Sequence, residues 1–182
     1  MASAREAALT RRSSSKVTDA APDDDAIVSL LDAAARVADH ASLRPWRVIA
    51  LRGAARARLG EALVAAAGLE GEHASRLAAK PLRAPLLLAI VAVTTTHPKV
   101  PEWEQEASAA GVGHVLSLLL DEAGWGVMWR TGPYTRHPVV ARMHGLGEHE
   151  RLLGWLYVGG RISRPRGERD GSIAAGRFSS LD

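Results

Sequence analysis

The stretch 86-LLLAIVAV-93 holds eight apolar residues with no polar break. An alternating pattern would mark a strand with one face in water. An unbroken one suits a strand covered on both faces. Pro81 and Pro85 punctuate the chain before it, and 94-TTTHPKVP-101 reads as a loop after it. The wider window 84-APLLLAIVAV-93 is too short to cross a bilayer. A strand buried on both faces needs helices above and below it, so the surrounding sequence has to supply them.

It does. Residues 2–12 have helical propensity. Pro22 with Asp23, Asp24 and Asp25 reads as a helix start, the acidic side chains suiting the positive end of the dipole. From Ala26 to Ala38, Ile27, Leu30, Leu31, Ala34 and Ala35 fall on one face. Trp46–Leu51 reads as a strand, and helical segments follow from Gly53 to about Ala67 and from about Glu70 to Ala79. Residues 102–123 carry the longest helical pattern, apolar nearly all round at its centre and so buried. Gly124 and Gly126 are expected to stop it. A strand over 127-VMWR-130, a short helix over 135–144 and a strand over 152-LLGWLYVG-159 complete the pattern. The order predicts an α+β domain, three layers deep, over residues 1–160, with an irregular C-terminal tail over 161–182.

The 182 residues suffice for one domain with a sizeable core. Hydrophobic residues at 47% and charged residues at 24% are ordinary for a globular chain, which argues against wholesale disorder. Cysteine is absent, which excludes disulfides, thiol nucleophiles and thiolate metal sites. The net charge of +3 is spread rather than clustered. The densest basic segment, Arg161, Arg164, Arg166 and Arg169, lies among Gly, Pro and Ser. No nucleic-acid-binding motif accompanies it, so no nucleic-acid partner is expected. The N-terminus lacks a signal-like apolar core and no segment reads as membrane-spanning, so a cytoplasmic protein is expected.

Phosphate-loop, dinucleotide-fingerprint, nucleophile-elbow and zinc-protease motifs are all missing. His144 and His149 are the closest histidine pair, without a third ligand in the sequence, and no metal site is expected. Three stretches carry polar groups of interest. In 11-RRSS-14 two guanidinium groups and hydroxyls suit a phosphate or the polar edge of a ring, or simply a cationic helix end. In 39-DHASLRPWR-47 a helix ends and a strand begins. Arg36 and His40 share a helix face if the helix runs that far, and Arg44, preceding Pro45, is expected to be extended. In 124-GWGVMWRTG-132 a Gly-rich turn and strand place Trp129, Arg130 and Thr131 where backbone can approach a flat ligand. Glu102, Glu104 and Glu106 read as the acidic first turn of the long helix.

Taken in order, Arg11–Ser13, Asp39–Trp46, Lys99–Ala109, Gly126–Gly132, Pro138–Val140 and Gly154–Gly159 resemble the FMN-dependent nitroreductase family, and within it the minimal single-domain members of the YdjA type. The resemblance implies a central, mostly antiparallel sheet flanked by helices. It implies a homodimer with FMN at the subunit interface. It also implies ping-pong transfer from NADH or NADPH to a small-molecule acceptor such as a nitroaromatic or quinone. Matching positions imply that Arg11, Arg12 and Ser13 contact FMN, that Arg36 and His40 reach it from the junction, and that Trp129, Arg130 and Thr131 complete the site. The helix end Leu119, Leu120, Asp121, Glu122, Ala123 and Gly124 is implied to lie on the nicotinamide-nucleotide path. No catalytic acid or base is singled out, because the flavin carries the chemistry. Many family members have Asn and Gln just before Pro-Trp, where this chain has Leu43 and Arg44; a cation there would stabilise a reduced, anionic flavin. Two alternatives share the same site: a flavin carrier or sensor without turnover, and a flavin-dependent dehydrogenase of a biosynthetic intermediate.

Overall fold

The computed structural model describes residues 3–162, 174 and 176–181. The expected tail over 161–182, with Arg164, Arg166 and Arg169, therefore falls mostly outside the described residues.

The apolar run is β3 (Leu86–Val93), at the heart of a five-stranded sheet. On one side β3 pairs antiparallel with β2 (Trp46–Leu51), and on the other with β5 (Glu150–Arg161). β5 in turn pairs antiparallel with β4 (Trp125–Arg130) and, at Gly160 and Arg161, with β1 (Val17–Thr18). Every ladder is antiparallel. Ser13 adds a parallel bridge to Val127 on the outer edge of β4.

Both faces of β3 are covered, as its composition predicts. Leu87, Ala89 and Val91 pack toward Leu59 and Leu63 of α3 (Ala54–Ala67), Leu77 of α4 (Gly71–Ala78) and Val140 of α6 (Pro138–Met143). Leu86, Leu88 and Ile90 pack toward Ile27 of α2 (Asp24–Ala34) and Val112, Leu116 and Leu120 of α5 (Glu102–Glu122). Each β3 residue from Leu86 to Ala92 is 0% exposed. Alternate side chains thus feed two separate cores, and the helix layers follow from that. A remaining helix, α1 (Ala4–Thr10), buries none of its residues.

Some local expectations are corrected. The Asp23 carboxylate caps α2 by accepting from the Ala26 amide at 2.8 Å, but the helix ends at Ala34 rather than Ala38. Its last turn tightens: the Arg36 amide reaches back only three residues, to the Ala33 carbonyl. Arg36 therefore lies beyond the helix and His40 in a separate 3-10 turn (His40–Ser42), so the two share no helix face. Arg44 is not extended; its φ is +50°. Gly124, with φ +93°, ends α5, and β4 starts directly at Trp125, with Gly126 inside the strand. There a Cβ would stand 2.7 Å from the Val17 side chain, so Gly126 serves close packing rather than helix termination. β5 runs through Gly160 to Arg161, one residue past the expected end of the domain.

Candidate functional site

The junction 39–46 is backbone under strain. Ala41, Ser42 and Arg44, none of them glycine, have φ of +62°, +53° and +50°. Each such residue costs about 1–2 kcal/mol, and such strain persists where the surroundings over-determine it. The surroundings here are specific. The Asp39 carboxylate accepts the Arg44 amide at 2.7 Å and its carbonyl accepts the Ser42 amide at 3.1 Å. The Arg44 carbonyl accepts from Trp46 at 2.8 Å, and the Pro45 carbonyl accepts from Val93 at 2.9 Å. His40 Nδ1 lies 2.9 Å from the Glu104 carboxylate. The acidic first turn of α5 thus holds the junction as well as favouring the helix dipole. Glu106, two residues on, takes both terminal nitrogens of Arg136 at 3.1 and 3.0 Å, which keeps its carboxyl below the usual range and ties down the loop after β4.

A second group gathers on the outer edge of β4. Ser14 donates its amide to the Val127 carbonyl at 2.8 Å. Backbone polar groups two residues apart on a strand point the same way, so those of Trp129 face this same open edge. Arg11 and Arg12 close α1 just before it. Arg12 donates to the Leu9 and Arg11 carbonyls at 2.9 and 3.1 Å. The half-buried Arg11 guanidinium has no hydrogen-bond or ion-pair partner among the described residues. Trp129 is held by glycines before and behind: a Cβ at Gly113 would lie 2.6 Å from its ring and one at Gly154 2.5 Å from its Nε1. The His114 ring stacks on it at 4.7 Å.

Beyond Trp129 the strand end opens into a cavity of about 470 Å³. Arg130 and Thr131 line it with Tyr157 and Trp155 of β5, Lys80 and Arg83 of the turn after α4, and Thr135. The Arg130 guanidinium lies 5.2 Å over the Tyr157 ring. Burial pushes the Tyr157 hydroxyl pKa up, and the charges of Arg130 and Arg83 partly offset it. Tyr157, Thr135, Lys80 and Arg83 did not stand out in the sequence. Tyr157 lies in a motif that marks a strand, and 80-KPLR-83 reads as punctuation.

The expected site residues therefore form three groups. Trp129, Arg130 and Thr131 share one cavity wall. Arg11, Arg12 and Ser13 adjoin the outer edge of the same strand. Arg36 and His40 stand apart at the exposed junction against α5. The Leu119–Gly124 segment lies at the opposite end of β4 from Thr131, a strand's length of roughly 20 Å away. Leu120 is core, and Asp121, 5% exposed, pairs with Arg161 at 3.1 Å, while Glu122, Ala123 and Gly124 are exposed.

His144 is a satisfied core histidine. Its Nδ1 bonds the Val140 carbonyl at 2.8 Å and its Nε2 accepts from the Trp155 indole at 3.0 Å. Burial lowers its pKa, aided by the Arg47 charge and opposed by the Val140 bond. Among the described residues no three His, Asp or Glu side chains gather as metal ligands. No helix among them is long and apolar enough to cross a membrane.

Comparison with known proteins bears on the family and the fold. Two curated relatives cover most of the chain. A protein of Escherichia coli strain K12 named "Putative NAD(P)H nitroreductase YdjA" is 34% identical over 159 residues, 86% of this chain and 87% of its own. One of Haemophilus influenzae named "Putative NAD(P)H nitroreductase" is 31% identical over 158 residues, 82% of this chain and 84% of its own. Among solved structures, a nitroreductase-like family protein from Bacillus cereus superposes with TM-score 0.85 at 22% identity, covering 100% of this chain and 97% of that one. The FMN- and NADPH-dependent nitroreductase NfnB from "sphigopyxis sp. strain HMH" superposes with TM-score 0.66 at 21% identity, covering 91% and 95%. These two show the shared fold. Residues 8–160 match the Nitroreductase family, and the chain belongs to that family.

Proposed function

We propose that this protein is a cytoplasmic, homodimeric FMN-dependent oxidoreductase that uses NADH or NADPH to reduce small organic acceptors such as nitroaromatics and quinones. Its FMN-binding domain ends with β5 at Arg161. The observation that carries the reading is the family match over residues 8–160, which spans all three groups of site residues.

The residues present fit the flavin. The unpartnered Arg11 guanidinium, with Arg12 and Ser13 beside it, suits a phosphate. The open edge of β4 at Trp129 offers backbone donors and acceptors to the polar rim of a flat ring, and Thr131, two residues on, continues that edge while Arg130 lines the cavity beyond it. In this reading Arg36 and His40, the latter held against Glu104, serve the flavin of the other subunit. When bound, FMN supplies the two-electron carrier that links oxidation of the nicotinamide nucleotide to reduction of the acceptor. This chain's part is to bind, orient and shield. The dimer is supported by α1, which buries no residue and leaves Leu9 58% exposed, and by Trp103 of α5 at 69% exposed.

The test is a visible spectrum of FMN-reconstituted protein, followed by anaerobic addition of NADH or NADPH. Flavin bands that bleach and return on adding a quinone or nitroarene are expected. Bands that never bleach favour the carrier or sensor reading. A chain that retains no FMN overturns the proposal.

A further inference from the structure

The cavity beyond Trp129 is built for a negative charge. Lys80, Arg83 and Arg130 line it, and no Asp or Glu does. Neither Lys80 nor Arg83 has a hydrogen-bond or ion-pair partner among the described residues. Two polar atoms are buried there without a partner: Arg130 Nε and Thr135 Oγ1. Arg56 and Arg161 also have an unpartnered Nε, but both donate through other nitrogens, Arg56 to the Ala84 carbonyl at 2.7 Å and Arg161 to the Trp125 carbonyl at 3.3 Å. Among the described residues Arg130 donates to none, and its guanidinium has only the Tyr157 face. Leaving a buried polar atom without a partner is unfavourable, more so on a charged group, so two such atoms in one cavity, Arg130 Nε and Thr135 Oγ1, call for a ligand oxygen.

The walls say what carries that oxygen. Trp155 and Tyr157 present aromatic surface, both nearly buried, and the volume of about 470 Å³ lies in the range of small-molecule sites. Three cations around aromatic walls at one end of β4 match a ring bearing an acidic group.

We propose that this cavity binds the anionic group of an aromatic acceptor, a carboxylate on the ring, with Arg130 and Thr135 as inner donors and Lys80 and Arg83 at the mouth. This deepens the oxidoreductase reading and rests on it for the word acceptor. The binding itself requires no flavin.

The experiment is calorimetric titration of the purified protein with benzoate and with its neutral counterpart benzamide, each with and without saturating FMN. Benzoate is expected to bind at least about tenfold more tightly, the differential of one charge-assisted contact. The double variant Lys80→Gln, Arg83→Gln is expected to weaken benzoate about tenfold while benzamide affinity stays, which also shows that the variant is folded. Thr135→Val is expected to weaken benzoate alone. In flavin-loaded enzyme, kcat/KM for 4-nitrobenzoate is expected to exceed that for 4-nitrobenzamide by a similar factor. Equal affinity for the two probes overturns the proposal, as does a preference that survives the double variant. Benzoate binding abolished by FMN also overturns it, since the cavity then belongs to the flavin. Selective benzoate binding by a chain that takes up no FMN upholds the anion site while the redox reading fails.

Discussion

Gly111 and Gly113 stand two residues apart in α5, and replacing each with alanine should move stability in opposite directions. Alanine inside a helix is favoured over glycine by about 1 kcal/mol, whatever the tertiary contacts. At Gly111 the new Cβ would meet Val37 at 3.6 Å, an ordinary contact. At Gly113 it would meet the Trp129 ring at 2.6 and 2.7 Å and Ile90 at 3.3 Å, roughly an ångström inside normal carbon–carbon separation. The ring cannot retreat, because its Nε1 already abuts the Gly154 backbone. Overpacking of this kind costs about 1–3 kcal/mol, and a pinned ring places it near the upper figure. The net for Gly113→Ala is then about 2 kcal/mol of destabilisation, a fall in Tm of about 4–8 °C for a chain of this length. Gly111→Ala should instead raise Tm by about 2–4 °C. Differential scanning calorimetry reads both, and FMN content after reconstitution should fall only in the Gly113 variant. A Gly113→Ala protein as stable as Gly111→Ala would refute the argument that α5 is fitted to Trp129.

Three further outcomes are expected. Gly60→Ala would put a Cβ 2.3 Å from the Ala78 carbonyl oxygen, which is backbone and cannot swing aside, so urea unfolding should show a loss of at least about 2 kcal/mol after the helix-propensity gain. The Glu150 carboxylate takes Arg47 through Nε at 2.5 Å and Nη2 at 2.8 Å and the Gly147 amide at 2.8 Å. With Arg47 39% exposed, Glu150→Gln should lower stability by only about 1 kcal/mol, with a smaller deficit in high salt. Burial lowers the pKa of His144, so its contribution to stability is complete above its unfolded value of about 6.5 and is lost as pH falls through the lower folded value. The denaturation midpoint should therefore decline from pH 7 to pH 5, and His144→Gln should flatten that decline. The lowered carboxyls of Glu106 and Glu150 act below their unfolded value of about 4.5, outside this window.

Much of the candidate site could be named before any fold was known, because its order along the chain is local. The Arg-Arg-Ser, Pro-Trp and Trp-Arg-Thr stretches are each contiguous. The junction was misjudged in detail. A residue before proline is pushed toward extended backbone by a general steric rule, but the Asp39 carboxylate capturing the Arg44 amide overrides it. The cavity beyond Trp129 was invisible, since Lys80, Arg83, Thr135 and Tyr157 come from elements separate from that of Arg130 and share no spacing with it.

The sequence by itself determined the layered architecture. An eight-residue apolar strand has to be covered on both faces, and amphipathic helices were at hand to cover it. It also determined the helix starts at Asp23 and before Glu102, where charge and dipole act within one turn. Only the tertiary structure decided which residues face one another. Val17 makes a two-residue strand because Gly126 and Gly159 leave room for it, and Glu104 becomes a tether because folding brings His40 to it across 64 positions. Such contacts join residues distant in sequence, and hydrophobic periodicity carries no record of them.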